Sequence, residues 1–211
     1  MSKNTYGDLY IALVVAMLNY GAEAQLYFGH NTGSLANATL TADQKALPAA
    51  YHSGMVGAVP STSATKQGIF ANNQGFASRK PAISFEGAFC INYFFTPKYT
   101  PDSGITMYYW SAEDYNANSV LSTSNATGKI KLEGSGTGQY QGDIEGIAAK
   151  ALSEAVYVAC AYKNGGTVWT SGVLGYSIGA YCSSQASKGS DIAALSMATA
   201  VYGYHAKQYF G

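Results

Sequence analysis

The chain starts and ends with two copies of one helical sequence. Residues 11–29 (IALVVAMLNYGAEAQLYFG) align without gaps to residues 193–211 (AALSMATAVYGYHAKQYFG). Nine of the 19 aligned positions are identical, which is too dense a match for chance. The identical pairs are Ala12/Ala194, Leu13/Leu195, Ala16/Ala198, Tyr20/Tyr202, Gly21/Gly203, Ala24/Ala206, Tyr27/Tyr209, Phe28/Phe210 and Gly29/Gly211.

The spacing of the repeated residues predicts two helices that pack against each other. Small and aromatic residues recur every four or seven positions, so they lie along one stripe of a helix, where the small ones allow close approach of a neighbour. Gly21 and Gly203 each cost about 1 kcal/mol relative to Ala inside a helix, which indicates tight packing there in both copies. Whether the helices pair within one chain or between chains stays open. The predicted packing residues are Ala12, Leu13, Ala16, Tyr20, Gly21, Ala24, Tyr27 and Phe28, with Ala194, Leu195, Ala198, Tyr202, Gly203, Ala206, Tyr209 and Phe210.

Between the helices, short runs rich in β-branched and aromatic residues predict strands. Asn164-Gly165-Gly166 separates two of these runs and predicts a hairpin turn. The fold class we expect is mainly β (α+β), an antiparallel β-sandwich, Ig-like in style, with the two repeat helices packed together. The predicted strands are 82–95, 104–111, 128–133, 140–147, 155–162 and 167–176.

We expect one domain with four segments. Residues 1–48 hold the N-terminal helix and a short second helix capped by Thr41. Residues 49–80 form an irregular arm or long loop, residues 81–176 the β-sandwich, and residues 177–211 a short helix and the C-terminal repeat helix. Long structureless segments are often functional, so residues 51–80 are the leading candidate for an intermolecular contact.

The composition is poor in charge. Charged residues make up 11% of the chain, against about 25% in typical globular proteins, and there are 18 Tyr and 24 Gly. Such a surface suits burial against other copies or partners, although an ordinary secreted-type β protein is the alternative. Twelve basic residues balance 12 acidic ones, with Arg79 as the single Arg. The chain therefore lacks the basic cluster that nucleic-acid binding needs.

The termini and cysteines give little sign of targeting or metal binding. The apolar run Leu9–Leu18 is shorter than the roughly 20 residues needed to span a bilayer, so we expect no membrane insertion and no signal peptide. The chain is then either made without export or begins after a removed signal. Cys90, Cys160 and Cys182 have no zinc-type spacing and do not suggest a disulfide framework.

The search for chemistry favours a non-enzyme. The sequence contains no H-E-x-x-H, G-x-S-x-G or P-loop motif, and we expect no cofactor, metal or catalytic residue. Asp143 and Glu145 lie two apart on one strand, where they could share a proton or a cation. An acid beside aromatic rings also resembles a carbohydrate-binding surface, although sheet packing of alternate rings is the stronger interpretation. The candidate glycan contacts are Tyr108, Tyr109, Trp110 and Asp114.

Four segments carry a resemblance to a known module. They are residues Ala16–Ala36, Ile144–Leu152 (IEGIAAKAL), Tyr176–Cys182 (YSIGAYC) and Tyr202–Phe210. In this order they resemble the C-terminal helix and β-sandwich module of large secreted surface proteins of gut Firmicutes. The resemblance weakens over residues 49–80 and 96–127, and it implies a non-enzymatic surface module.

Two functions follow as expectations. The first is a structural or assembly protein, in particular a bacteriophage virion component (a capsid decoration, head-fibre or tail protein) assembled in the bacterial cytoplasm. Its partners would be copies of itself or other virion proteins. The second is an extracellular or cell-surface module that binds glycan or protein.

Overall fold

The computed structural model describes residues 3–71, 75–78, 80–85, 87–134 and 136–211, without the side chains of residues 3–5 and 78. Arg79 and part of the predicted 51–80 contact segment lie outside the described residues. The chain divides into two compact units, and each unit draws on more than one of the four predicted segments. The first comprises Met1–Val59, Ile147–Ser153 and Ile178–Gly211, and the second comprises Pro60–Gly146 and Glu154–Ser177.

The first unit is helical. Helix α2 starts with the Thr41 cap that the sequence predicts: the Thr41 hydroxyl accepts from the Gln44 amide, and the Gln44 side chain accepts from the Thr41 amide. Helix α1 ends at a left-handed Gly29. The helices of this unit are α1 (Lys3–Phe28), α2 (Ala42–Lys45), α4 (Ile178–Ala186) and α5 (Asp191–Phe210), with 3₁₀ turns at Leu47–Ala50, Ser53–Met55 and Ala149–Ala151.

Helices α1 and α5 pack together in opposite directions within one chain. The ring of Tyr6, near the start of α1, contacts the ring of Tyr209, near the end of α5, at 4.8 Å between centroids. The rings of Tyr20 and Tyr202 stack at 5.5 Å with an interplanar angle of 18°. Because these two tyrosines occupy the same position of the repeat, the helix pair has a local two-fold relation at that point. The predicted helix pair is confirmed.

The second unit contains two antiparallel sheets of five strands each. The strands are β1 (Phe76–Ser78), β2 (Ala82–Ser84), β3 (Phe89–Pro97), β4 (Thr106–Trp110), β5 (Gly128–Lys131), β6 (Glu133–Gly134), β7 (Tyr140–Ile147), β8 (Val156–Asn164), β9 (Thr167–Thr170) and β10 (Leu174–Tyr176). The first sheet has the order β1-β3-β7-β6, with β2 paired to β3; the second has the order β10-β8-β4-β5, with β9 paired to β8. The helix of this unit, α3 (Ala112–Ala117), follows β4.

The two sheets face each other as a sandwich, as predicted. Tyr93 on β3 is fully buried, and its hydroxyl donates to the Val156 carbonyl of the other sheet at 3.2 Å. The rings of Phe76 and Tyr162 meet edge-on across the interface at 5.0 Å. The predicted hairpin is also present: Asn164 pairs with Thr167, and the two glycines between them have the positive φ that a two-residue hairpin turn requires.

A third layer covers the outer face of the second sheet. Phe70, in the segment 60–71, is fully buried in a cluster with Trp110, Tyr115, Leu121, Tyr157, Ala159 and Val173. The Lys66 carbonyl accepts from the Leu121 amide at 2.7 Å, and the chain passes so close at Gly68 (φ +52°) that a side chain there would collide with the Leu121 carbonyl. Residues 60–71 are thus an ordered cover on their own unit, which agrees with the long-loop alternative for this segment, and an intermolecular contact of residues 51–80 stays a prediction.

Candidate functional site

The candidate site is an apolar surface on the first half of α1. Four large side chains, Tyr6, Tyr10, Ile11 and Met17, are each 43–56% exposed there; we call this set the α1 face. The half-buried Val14 lies between them, and Tyr10, Val14 and Met17 are spaced as neighbours along one helix side. No charged residue occurs between Asp8 and Glu23. The α1 face therefore offers apolar surface without a charge.

A shallow groove of about 340 Å³ borders the α1 face. Its floor is apolar, and two carboxylates, Asp8 and Asp43, stand beside it. The groove shares Ile11 with the α1 face, so the apolar surface continues from the exposed helix side into a concave strip. The lining residues are Asp8, Ile11, Ala12, Val15, Asp43, Gln44 and Leu47.

The loop that follows α1 covers one side of its second half. The buried Asn19 side chain donates to the Gln44 carbonyl at 2.8 Å and accepts from the Asn37 side chain at 2.9 Å. Gln25 accepts from the Ala36 amide at 2.6 Å and donates to the Ser34 carbonyl at 3.1 Å. These bonds hold residues 31–44 against α1, whereas Leu26 and Tyr27 in its last turn are exposed.

Most of the predicted packing residues are buried or half-buried, and the rings of Tyr20 and Tyr202 meet in the seam between α1 and α5. Leu13, Ala16, Leu195, Ala198 and Ala206 are buried. Ala24 and Ala194 are half-buried, and so are the stacked rings of Tyr20 and Tyr202. The pKa of Tyr20 is raised to about 12, mainly by burial and to a smaller extent by the neighbouring Tyr202. Burial likewise raises the pKa of Tyr202.

Several predicted packing residues lie outside this seam. A Cβ on Gly21 would lie 3.1 Å from Ala36, and one on Gly203 would lie 3.0 Å from Leu152. The two glycines thus admit a loop and a turn rather than the partner helix, which corrects the prediction. Ala12 lines the groove. The ring of Tyr209 meets those of Tyr6 and Tyr10 at the seam's end.

The aromatic residues at the helix ends are more open than predicted. Phe210 is 60% exposed and makes an edge-on ring contact with its neighbour Tyr209. Tyr27 is also exposed, and it makes an edge-on contact with the half-buried Phe28. The stripe therefore overestimates the packing at Phe210 and Tyr27, because the last turns of both helices extend beyond their neighbours' cover.

The predicted glycan contacts do not form an open aromatic platform. Trp110 is fully buried, and its indole N–H donates to Asn125 at 3.1 Å. The ring of Tyr108 lies beside that of Phe70, 6.0 Å away, and the ring of Tyr109 lies over Gly128 so closely that a Cβ there would overlap it. The interpretation of this run as sheet packing agrees with these positions, and the glycan assignment of Trp110 is wrong.

Asp114 lies in the first turn of α3, and its carboxylate is hydrogen-bonded to neighbouring hydroxyls. Its carboxylate accepts from the hydroxyls of Thr127 and Ser111, while the Ser111 hydroxyl accepts from the Asp114 amide at the start of α3. The hydrogen bond from Thr127, and then that from Ser111, hold the pKa of the half-buried Asp114 below its usual value. The Asp114 carboxylate is thus already engaged in hydrogen bonds to neighbouring side chains.

The second unit has an open polar groove of about 430 Å³ where β5 passes into β6 beside β7. Both oxygens of Asp143 accept from the Gln141 side chain, at 2.9 and 3.1 Å. Within the described residues, no group of three or more His, Cys, Asp and Glu could hold a metal ion, so the Asp143 and Glu145 pair lacks further ligands. The lining residues are Ile130, Lys131, Glu133, Gly134, Gln141, Gly142 and Asp143.

The three thiols are buried and protonated. Burial raises the pKa of Cys90 to about 11 and that of Cys182 to about 12, and it raises the pKa of Cys160 as well. The reactive form of a cysteine is the thiolate, so at neutral pH these residues are poor nucleophiles. Burial also lowers the pKa of His205.

By length and composition alone, Tyr6–Phe28 of α1 could cross a membrane. Its mean hydropathy is 1.3 and 28% of the window is buried. A core helix of a soluble protein and a signal sequence meet the same criterion, so this is weak evidence for a membrane segment.

Comparison with protein-family models and with curated protein sequences gives no match. Two solved structures share part of the fold. One is a Br derivative of BhCBM56, with 15% identity and a TM-score of 0.31, covering 47% of this chain and 97% of that one. The other is a GH family 64 laminaripentaose-producing β-1,3-glucanase from Paenibacillus barengoltzii complexed with laminarihexaose, with 13% identity and a TM-score of 0.32. It covers 48% of this chain, which spans a fifth (20%) of the glucanase chain. At these TM-scores neither likeness supports an inference about function.

Proposed function

We propose that this protein is a non-catalytic structural or assembly protein whose α1 face is covered by another protein subunit in its working state. One observation carries the proposal: the α1 face exposes four large apolar side chains on a helix that has no charge from Leu9 to Ala22. The setting we propose is a virion, as a decoration, fibre or tail component, because a chain with 11% charged residues suits surfaces that neighbours cover.

The energetics favour a covered α1 face. Apolar surface gains about 25 cal/mol per Å² when it leaves water, and single exposed apolar residues are common, whereas contiguous patches mark interaction sites. Tyr6, Tyr10, Ile11 and Met17 lie within three to four turns of one helix and continue into the groove. A partner that covers them needs apolar shape complementarity rather than charge.

The side-chain chemistry supports a non-enzymatic role. The buried, protonated thiols and the hydrogen-bonded Asp114 leave no activated nucleophile among these groups. In contrast, the α1 face requires no reacting group, since apolar burial alone is enough for association.

Thiol protection tests the proposal. Met17→Cys places a single exposed thiol on the α1 face, because the three native cysteines are buried. We expect a maleimide to label it fully in the dilute purified protein and at least tenfold more slowly in intact particles or cells of the source. Val168→Cys, at an exposed position of β9 in the second unit, is the matched control and should be labelled in both settings. Equal labelling of the two thiols in the native setting would contradict an assembly role for the α1 face.

A second candidate function, the binding of glycan or protein at a cell surface, is favoured by the polar groove beside β7. Lys131, Glu133 and Asp143 supply donors and acceptors of the kind that orient hydroxyl-rich ligands. Titration with neutral hexasaccharides built from glucose, mannose or N-acetylglucosamine tests it, with Glu133→Gln and Asp143→Asn as variants. Saturable binding that both variants weaken would favour this function; no binding by the intact protein would oppose it.

A further inference from the structure

The internal repeat shows which side of α1 is unpartnered. Ile11 is 56% exposed, whereas its equivalent in α5, Ala193, is 4% exposed. Met17 is 43% exposed, whereas its equivalent Thr199 is fully buried. The same side of the same helical sequence is therefore covered in one copy and open in the other.

The cover on α5 is another helix. Ile178, Gly179 and Cys182 of α4 line a small cavity together with Thr199 and Ala200 of α5. In α1 the positions that correspond to Thr199 and Ala200 are Met17 and Leu18. Met17 is exposed where Thr199 is buried; the short α2 lines the neighbouring groove through Asp43 and Gln44, and the loop bonded to Asn19 and Gln25 reaches the second half of α1.

We propose that the α1 helix of a second copy of this chain occupies on α1 the side that α4 occupies on α5, so that two chains form an antiparallel α1–α1 dimer. This inference rests on the proposed assembly function and names its partner. A helix fits because the repeat already packs a helix on this side of α5. The second α1 fits because its own exposed side is equally apolar and uncharged, and a two-fold contact requires a self-complementary surface.

The new contact would continue the existing helix seam. Tyr6 and Tyr10 already contact Tyr209 of α5 at the edge of the α1 face, so a second α1 would extend that aromatic edge. A Cβ at Gly7 would have no atom within 4 Å, so the partner backbone has room to approach closely there.

The area is that of a weak, specific contact. If a buried aromatic side chain covers roughly 200 Å², half-exposed side chains contribute about 100 Å² each, and the four residues of the α1 face about 400 Å² per copy. Two copies then bury less than the roughly 1,200 Å² of a standard interface. The isolated protein should therefore dimerise only weakly, and the contact should tighten where copies are held close together.

Pairwise disulfide cross-linking tests the geometry. In an antiparallel pair centred near Val14, position 10 of one copy faces position 17 of the other. A mixture of Tyr10→Cys and Met17→Cys proteins should therefore form the mixed disulfide at least tenfold faster than either protein links to itself. Val168→Cys, mixed with either protein, measures random collision. Equal rates in all mixtures, or faster self-linking at both positions, would overturn the antiparallel dimer.

Sedimentation of the full chain gives an independent readout. We expect a weak, concentration-dependent dimer, whose association Ile11→Lys weakens at least tenfold while Val168→Lys leaves it unchanged. A monomer throughout would overturn the α1–α1 dimer. If the thiol of the Met17→Cys variant is nevertheless protected in the native setting, the assembly function stands with a different partner; if that thiol is unprotected there, both proposals fail.

Vesicles distinguish a lipid partner. A fluorophore on Met17→Cys that shifts to the blue with phosphatidylcholine–phosphatidylglycerol vesicles, in a protein that stays monomeric without them, would assign the α1 face to a membrane surface and overturn the dimer.

Discussion

Helices α1 and α5 share a sequence template but have opposite surroundings. The residues that form their common seam are retained, and Tyr20 stacks on its own equivalent, Tyr202. The residues on the outer side, away from the seam, differ between the two helices, and so does the structure that covers them. On that side of α5 the side chains are small or short: Ala193, Ser196 and Thr199 are all buried, and Thr199 shares a small cavity with α4.

At the equivalent positions α1 has larger apolar side chains that are more open. Ile11, Val14 and Met17 take the places of the three small residues of α5. The residues shared by both copies of the repeat therefore specify the helix pair, whereas the residues on the outer side of each helix match the structure that covers that side. Exchanging residues between the copies tests the comparison directly.

The largest effect is expected from moving the α1 residue into α5. Thr199→Met inserts a longer side chain under α4 and removes the Thr199 hydroxyl that donates to the Leu195 carbonyl at 2.7 Å. Overpacking of a buried site typically costs about 1–3 kcal/mol, and we expect about 3 kcal/mol here. Urea unfolding followed by far-UV circular dichroism measures it, because the helices dominate that signal.

The reverse exchange is the matched control. Met17→Thr changes an exposed position and should alter the free energy of unfolding by less than about 0.5 kcal/mol. Both tryptophans lie in the second unit, so tryptophan fluorescence follows that unit separately in both variants. Equal losses at Thr199 and Met17 would show that the two sides are equally packed, against the comparison.

A polar exchange should have the next largest effect. Asn19 in α1 corresponds to the fully buried Val201 in α5. Asn19→Val leaves the Gln44 carbonyl and the Asn37 amide without their partner, at about 2 kcal/mol. We expect thermal unfolding to start lower and hydrogen exchange of residues 31–44 to accelerate, because Asn19 holds that loop on α1.

Val201→Asn is the complementary variant. It buries an amide in an apolar site, which costs about 1–3 kcal/mol in proteins, and it should leave hydrogen exchange in residues 31–44 unchanged. If Asn19→Val left the loop equally protected, Asn19 would not be the anchor that separates the covered half of α1 from the open half.

The glycines of the repeat should respond in opposite directions. Ala is better than Gly in a helix by about 1 kcal/mol. At Gly21 the new Cβ meets the Ala36 side chain at 3.1 Å, on a surface loop that can shift, so Gly21→Ala should stabilise by about 0.5 kcal/mol. At Gly203 it meets the buried Leu152 and, at 3.3 Å, the Ala149 carbonyl, so Gly203→Ala should destabilise by about 1 kcal/mol. Calorimetric melting of both variants measures these changes in stability. If both variants were stabilised, or both destabilised, the assignment of different neighbours to the two glycines would be contradicted.

The sequence predicts the individual helices, caps and turns better than it predicts which segments cover one another. The repeat, the Thr41 cap and the Asn164-Gly165-Gly166 turn each carry a local physical signal, and all three are present. The cover on the second sheet carries no such signal, because Phe70 lies in an irregular segment without periodicity. Helix α3 does have one: Ser111 and Asp114 have the spacing of a helix N-cap.

The candidate site is hidden in the sequence for a different reason. Helix α1 is apolar on nearly all sides, so its periodicity shows that a helix forms and leaves undecided which side is buried. The Ala and Tyr stripe of the repeat and the stripe of Tyr10, Val14 and Met17 fit equally well. Tertiary contacts separate them: Tyr20 stacks on Tyr202 of α5, and Asn19 and Gln25 hold the loop on the second half of α1.

Substitution of Tyr20, where the two repeat helices meet, should change the free energy of unfolding least at neutral pH and should change its dependence on alkaline pH. The pKa of Tyr20 is raised to about 12, mainly by burial. Because the folded-state value lies above the unfolded one, near about 10, the stabilising contribution is fully present below about pH 10 and is lost as the pH rises towards about 12. We expect the free energy of unfolding to fall across this window, and Tyr20→Phe to reduce the slope while changing stability at neutral pH by less than about 1 kcal/mol. Tyr10→Phe, at an exposed ring of the same helix, is the control and should retain the slope; an unchanged slope in Tyr20→Phe would place the alkaline sensitivity away from the seam.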